Sequence, residues 1–145
     1  EEGYHLKIYS LIFELAYLLV REFKEIRHAS IEISTLKHQA LIQDICHYIK
    51  DHYNEALTLN GLSQQFAYTP QHIASLFQNY IGTTFLTYLN SIRIDKSLPL
   101  LINSDLSIIQ ISEACGFSSV KSFNKVFKTV YQLSPNQFRT LNKEH

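Results

Sequence analysis

Charge of either sign is scarce in this sequence. Charged residues make up 18% of the 145, below the roughly 25% of an ordinary globular domain, so much of the surface is neutral-polar or apolar. Thirteen basic and thirteen acidic residues cancel, which excludes polyanion binding driven by gross net charge. Two cysteines, Cys46 and Cys115, are too few for a disulfide framework; they read as small core residues in a reducing compartment. Only four glycines are present, with no Gly-rich phosphate loop, nucleophile elbow or acid pair, so nothing points to an enzyme. Methionine is absent and the chain opens on Glu1-Glu2-Gly3, so it reads as a piece of a longer protein. Long hydrophobic runs are missing too. Ile8 to Val20 is interrupted by Glu14 and is shorter than the roughly 20 apolar residues a membrane span needs.

Seven histidines (His5, His28, His38, His47, His52, His72 and His145) invite a search for a metal site. No two stand four residues apart, and adjacent Cys46-His47 would point about 100° away from each other on a helix. They read as surface residues, and neither a metal nor a cofactor is expected.

What is present is apolar residues at 46%, enough for a packed domain, arranged at helical rather than strand periodicity. A first helix is expected from about Tyr4 to Arg27, apolar around most of its circumference, through Ile8, Leu11, Leu15, Leu18 and Ile26 with Ile12, Phe13, Leu19 and Val20. Such a helix needs partners on more than one side. His28 to Thr35 reads as a connector, and a second helix should bury Leu41, Ile45, Cys46 and Ile49 between about Leu36 and Tyr53. Two segments with a common layout follow. Thr58 caps a short helix with Leu59, Leu62 and Phe66, a turn falls at Ala67-Tyr68, and Thr69-Pro70 starts a helix burying Ile73, Leu76, Phe77 and Tyr80. Ser107 caps a short helix with Ile108, Ile111 and Cys115, a turn falls at Gly116-Phe117, and Ser119 caps a helix burying Phe123, Val126, Phe127 and Val130. Between the copies Thr84 to about Ile102 reads as one helix, distorted near its end by Pro99, and Ser134-Pro135 starts a last one holding Phe138. This is a helix-turn-helix duplicated.

Charge follows the duplication unevenly. Residues 116–145 hold five basic residues and one acid, a net of +4, whereas 41–115 hold three basic and six acidic, a net of −3. Lys121, Lys125 and Lys128, spaced i, i+4, i+7, form one stripe with Asn124 beside it. Lysine reads guanine O6/N7 and asparagine reads adenine N6/N7, so the stripe carries chemistry for base edges, although a solvated lysine face has the same spacing. The first unit exposes Gln71, Ala74, Ser75 and Gln78: amides for adenine, a hydroxyl for a base or phosphate, a methyl for thymine. No basic residue lies between Asp51 and Arg93, so specific reading and mere positioning stand level there. Helix starts at Thr69 and Ser119 offer backbone N–H groups for phosphate. Arg93 reads as structural, paired with Glu113 or Asp95; Arg139 suits either phosphate or domain bracing.

Residues 108–117, IIQISEACGF, continued by SSVKSFNKVFK at 118–128 and LSPNQFR at 133–139, resemble the C-terminal DNA-binding domain of the AraC/XylS family of bacterial transcription regulators. The Gly-Phe turn, the Phe-Lys helix end, Ser-Pro and the Phe-Arg pair agree together over about 100 residues, Leu41 to Arg139. Ser63, Ser112 and Ser97 stand where the family usually has alanine, and all three remain small. The resemblance implies an all-α fold of two homeodomain-like helix-turn-helix subdomains joined by a long central helix and preceded by an extra N-terminal amphipathic helix. It divides the chain into 1–35, the end of an effector or dimerisation domain plus linker, and 36–145, the DNA-binding domain. Within the latter, the first helix-turn-helix spans about 56–81, the linker helix about 84–102 and the second helix-turn-helix about 107–131. By family position Lys121, Asn124 and Lys125 read bases, while Lys128 faces phosphate or solvent; Ser122, Ser119, Thr69 and Arg139 are assigned to phosphate or to positioning the domain. The implied role is a cytoplasmic, sequence-specific activator that inserts two recognition helices into successive major grooves of a double-stranded DNA operator. Implied partners are RNA polymerase, a small-molecule effector held by a missing N-terminal domain, and a second copy joined through residues 4–27. The residues alone leave a second reading open, a protein-interaction or dimerisation module with weak DNA affinity.

Overall fold

The computed structural model describes residues 2–143, with the side chains of 12–24, 26–27 and 31–142. The side chains of Ile8, Leu11, His5, His28, Lys143 and His145, used above, lie outside the described residues. Regular structure among the described residues is entirely helical, in two compact units, 1–41 and 42–145.

Helix α1 runs Glu2–Asp51. The connector expected at His28–Thr35 is therefore helical. Its β-branched residues lower helix preference by only tenths of a kcal/mol each, and no glycine or proline stops propagation. Thr35 even returns its hydroxyl to the Ile31 carbonyl, 2.9 Å away, within the helix. In the 1–41 unit Phe13, Tyr17, Leu19, Phe23, Ile26 and Leu36 are all exposed. Leu15 and Leu18 are exposed as well. Because successive residues turn by about 100°, the run Leu15–Val20 presents apolar surface on several sides.

The 42–145 unit holds the end of α1 and six further helices: α2 (Leu59–Phe66), α3 (Pro70–Leu76), α4 (Phe85–Asn103), α5 (Ile108–Ala114), α6 (Val120–Tyr131) and α7 (Pro135–Lys143). Helix starts follow the sequence. The side-chain oxygens of Thr58, Thr69, Thr84, Ser107 and Ser119 each accept from the backbone N–H three residues on, and Ser107 with Gln110 completes a reciprocal capping box. Ser134 does the same for Gln137. Each such cap satisfies a donor that the helix cannot, at about 1 kcal/mol apiece. One departure is that α3 widens over Phe77–Ile81 into a π turn before Gly82, whose N–H reaches back to the Phe77 carbonyl at 3.0 Å. Another is that Val130, expected inward on α6, is exposed, whereas α4 runs as the single expected helix through Pro99 to Asn103. Pro99 is exposed and forfeits one backbone bond one turn from the helix end.

Two cores lie either side of α4. Ile42, Ile45 and Ile49 of α1 are buried, as are Leu62, Ile73, Leu76, Phe77, Phe85 and Leu89 of the first helix-turn-helix and the start of α4. Rings bind these elements: Tyr48 of α1 meets Phe66 of α2 edge-on at 5.7 Å, and Phe77 contacts Phe85 at 5.8 Å. The second core joins Ile94 and Leu101 of α4 to Ile111, Cys115, Phe117, Phe123 and Phe127. Phe138 of α7 closes it against Phe127 at 5.4 Å. The three serines in alanine-like places sit among these cores because each spends its hydroxyl locally. Ser63, Ser97 and Ser112 donate to the carbonyls of Asn60, Ile94 and Ile109 at 2.7–2.8 Å, so no bare donor is buried.

The two turns superpose in bonding. Tyr68 N–H reaches the Ser63 carbonyl and Phe117 N–H the Ser112 carbonyl, at 3.0 and 2.9 Å. The residue before each is left-handed: Ala67 at φ 57° and Gly116 at φ 81°. The longer second copy takes its additional residue after the turn, at exposed Ser118. Ala67 carries a strain that glycine would not. A Cβ at Gly116 would also fall 2.6 Å from Asn54 Cα. Ala67→Gly should therefore leave stability unchanged or raise it by up to about 1 kcal/mol, whereas Gly116→Ala should cost more than about 2 kcal/mol. Urea unfolding of both variants beside the parent checks the opposite signs.

Candidate nucleic-acid interface

Helix α6 is anchored from one side and open on the other. Phe123 and Phe127 are fully buried, with Phe127 packed between Phe123 (edge-on, 5.7 Å) and Tyr131 (tilted, 4.9 Å). That fixes the rotation of the helix and turns Lys121, Asn124, Lys125 and Lys128 outward, all exposed. Among the described residues no carboxylate lies within 4 Å of these three ammonium groups. Ser119, at φ −162°, caps the helix by accepting from Ser122 N–H at 3.2 Å. Ser122 itself is half-buried. At the far end Thr129 donates to the Lys125 carbonyl and Gln132 to the Thr129 carbonyl, at 2.9 and 3.1 Å. Lys125, Lys128, Thr129 and Gln132 thus edge a shallow hollow.

Helix α3 is held the same way by Ile73, Leu76 and Phe77. Its outward residues are Gln71, Ser75 and Gln78, with Ala74 half-buried. Ser75 donates to the Gln71 carbonyl at 3.0 Å. Thr69 is committed as the cap, accepting from His72 N–H at 3.2 Å. The His72 ring stacks on Tyr68 at 5.0 Å. Ala74 and Gln78 border an apolar hollow with Leu59, Thr84, Phe85 and Leu86. The predicted residues thus form two groups on separate subdomains, one with three lysines and one with none.

The arginines behave differently from expectation. Arg93, buried in α4, pairs with neither Glu113 nor Asp95. It donates through Nε to the Tyr53 carbonyl and through Nη2 to the Glu55 carbonyl, both at 2.8 Å. These carbonyls lie where α1 has just ended and have no helical partner. The same guanidinium lies 5.7 Å from the Phe117 ring centroid, so it touches the approach to the first helix-turn-helix and the turn of the second. Burial pulls its pKa below the usual value, and the nearby Cys115 works in the opposite direction. Burial pushes the Cys115 thiol up to about 11, against a smaller opposing pull from Arg93, so it is a neutral thiol at physiological pH. Arg139, half-buried in α7, repeats the device. It donates to the Leu101 carbonyl at 3.2 Å and the Leu106 carbonyl at 2.7 Å, the end of α4 and the approach to α5. Sequence reasoning missed three parts of this junction: the bidentate clamp, the Asn54–Gly116 approach, and Lys96 lying 5.6 Å from the Tyr53 ring centroid. The only signal was an arginine in each post-motif helix facing a preceding helix end without a cap.

On the described residues no helix is long and apolar enough to cross a membrane, and no group of three or more His, Cys, Asp or Glu is placed to hold a metal. A capped helix, a tight left-handed turn and an anchored second helix, made twice, define a double helix-turn-helix domain. Residues 62–140 match the family described as "Helix-turn-helix domain". The chain belongs to the AraC family of helix-turn-helix transcriptional regulators, which are not enzymes. It is 28% identical over 130 residues to the xylose operon regulatory protein of Escherichia coli K12, covering 90% of this chain and 33% of that protein. It is 34% identical over 101 residues to the uncharacterized HTH-type transcriptional regulator YijO of the same strain, covering 70% and 36%. The chain thus spans about a third of the length of these curated relatives. Among solved structures, the C-terminal domain of AraT, a response regulator from Geobacillus stearothermophilus, aligns with a TM-score of 0.66 at 28% identity, covering 69% of this chain and 84% of that one.

Replacing Arg93 by Met keeps the stem and removes both charge-assisted bonds. Urea unfolding of Arg93→Met should show a loss on the order of 3 kcal/mol, and Arg93→Lys should recover less than half of it, because a single ammonium cannot span both carbonyls in the guanidinium's planar geometry.

Proposed function

We propose that this chain is the DNA-reading part of a sequence-specific transcriptional activator, docking α3 and α6 into successive major grooves on one face of a duplex, about 34 Å apart. The observation that carries the reading is the outward face of α6, where Lys121, Asn124, Lys125 and Lys128 are exposed with no carboxylate among the described residues within 4 Å of the lysines, while Phe123 and Phe127 fix the helix behind them. Lys121, Asn124 and Lys125 read base edges and Lys128 meets phosphate. Gln71, Ala74 and Ser75 read from α3. Thr69, Ser119 and Ser122 set the entry of the two helices through their caps. Arg139, spent on the Leu101 and Leu106 carbonyls, serves as a positioning residue rather than a phosphate ligand. In the whole protein, a cytoplasmic one, residues 1–35 close a domain that binds a small-molecule effector, and residues 36–145 carry the readout to an operator and to RNA polymerase. The exposed apolar surface around Leu15 and Leu18 supports self-association of the 1–41 unit.

Selection from a random duplex library at near-physiological salt should return a split motif with half-sites about ten base pairs apart. Lys121→Ala and Lys125→Ala should each lose roughly 1–3 kcal/mol together with discrimination at particular base pairs, while Lys128→Ala should weaken all sequences alike. Equal binding of random and selected duplexes would sink the reading. Self-association is checked separately by sedimentation over a range of concentrations. The parent should show a concentration-dependent dimer that Leu15→Glu/Leu18→Glu reduces to monomer, and a parent that stays monomeric throughout would remove that surface from the account.

A further inference from the structure

From Ala56 to Ile92, 37 consecutive residues include no Asp, Glu, Lys or Arg. That stretch holds the whole first helix-turn-helix, namely α2, its turn, α3 and the π turn, and continues into α4 as far as Ile92. Its one imidazole, His72, is half-buried against Tyr68 rather than presented with Gln71, Ser75 and Gln78. The flanking cation cannot substitute, because Arg93 is buried and both of its bonds go to main-chain carbonyls. The second helix-turn-helix is the opposite case. Lys121, Lys125 and Lys128 are exposed along α6, with no carboxylate among the described residues close enough to neutralise them.

The physics of these two surfaces on DNA differs in kind. A lysine that neutralises a phosphate releases condensed counterions, giving attraction that is indifferent to sequence and falls steeply with salt. An amide or methyl against a base edge releases essentially none; its free energy is sequence-dependent and depends only weakly on salt. We infer that the two units divide the labour of binding: α6 supplies the electrostatic hold on any duplex, and the uncharged α3 unit acts as a reader alone, adding affinity only where its bases are correct. The inference rests on the DNA-reading function proposed above and extends it to how that function is regulated by ionic strength. Non-cognate DNA is then gripped through one subdomain. Affinity for every duplex should fall together as salt rises, while discrimination by the α3 reading stays constant.

The test measures affinity by fluorescence anisotropy between 50 and 300 mM KCl for the 145-residue chain. It uses three duplexes: the selected operator, the same operator with the α3 half-site randomised, and a fully random sequence. Plots of log K against log[KCl] for the first two should be parallel and displaced vertically by the α3 reading. Lys128→Ala, which removes the phosphate contact, should flatten both by about 0.9. Gln71→Ala should lower the operator line toward the half-randomised one without changing its slope. Gln78→Lys, which installs a charge on the outward face of α3, should steepen the operator line by about 0.9 and raise affinity for the random duplex. An operator line steeper than the half-randomised line by one or more would show phosphate neutralisation by the first unit and overturn the inference. Superposed lines would overturn it differently, since α3 would then read nothing while lysine-dependent recognition by α6 stood intact. Binding that ignores sequence in both halves would overturn the proposed function itself.

Discussion

The guanidinium of Arg93 is the contact on which the two halves of the DNA-binding domain jointly depend. A helix that ends leaves carbonyls facing outward, and the chain between Asp51 and Thr58 has no helix of its own to satisfy them. Arg93 answers two, at Tyr53 and Glu55, from the middle of α4, while its face lies near Phe117 in the second turn. One planar group thus fixes where the first helix-turn-helix begins and where the second one bends. Burial disfavours its charge, yet two carbonyls and an aromatic face compensate, an arrangement suited to arginine and poorly served by lysine. Arg139 does the equivalent one repeat later. The duplication is therefore one of helices and also of an architectural rule: the helix that follows each motif ties down the strand of chain that precedes it.

Much of this fold was readable because its boundaries are written in short-range chemistry. Six Ser or Thr caps, two turns and two proline starts each act within about four residues, and a linear reading captures such signals fully. The buried faces of α3 and α6 were equally legible from spacing. What escaped depends on partners far along the chain. The bonds of Arg93 span 40 and 38 residues, so their acceptors could not be guessed, and an acidic partner was the natural expectation for a buried arginine. The stretch at His28–Thr35 failed for a different reason: modest intrinsic preference argued for a break, but the structure continues the helix in the absence of any residue that forbids it.

The candidate interface was legible to an uneven degree. On α6 the identity of the outward residues follows from helical geometry once Phe123 and Phe127 are taken as anchors. On α3 the same logic finds the face, but amides and a half-buried methyl declare little about what they meet. Caps complicate the picture further, since Thr69 and Ser119 spend their hydroxyl oxygens on their own helices. Their contribution is to orientation, which composition does not reveal.

The approach of Gly116 to Asn54 has a consequence for how this sequence is free to drift. What lies within 3 Å of the missing Cβ is the Cα and carbonyl of residue 54, not its side chain. Any amino acid that keeps the backbone path is thus admissible at 54, while 116 admits only the one without a side chain. The restriction falls on one member of the contact alone. Substitution at 54 should accumulate without a matching change at 116, and a search for paired variation would pass over this approach of the two segments.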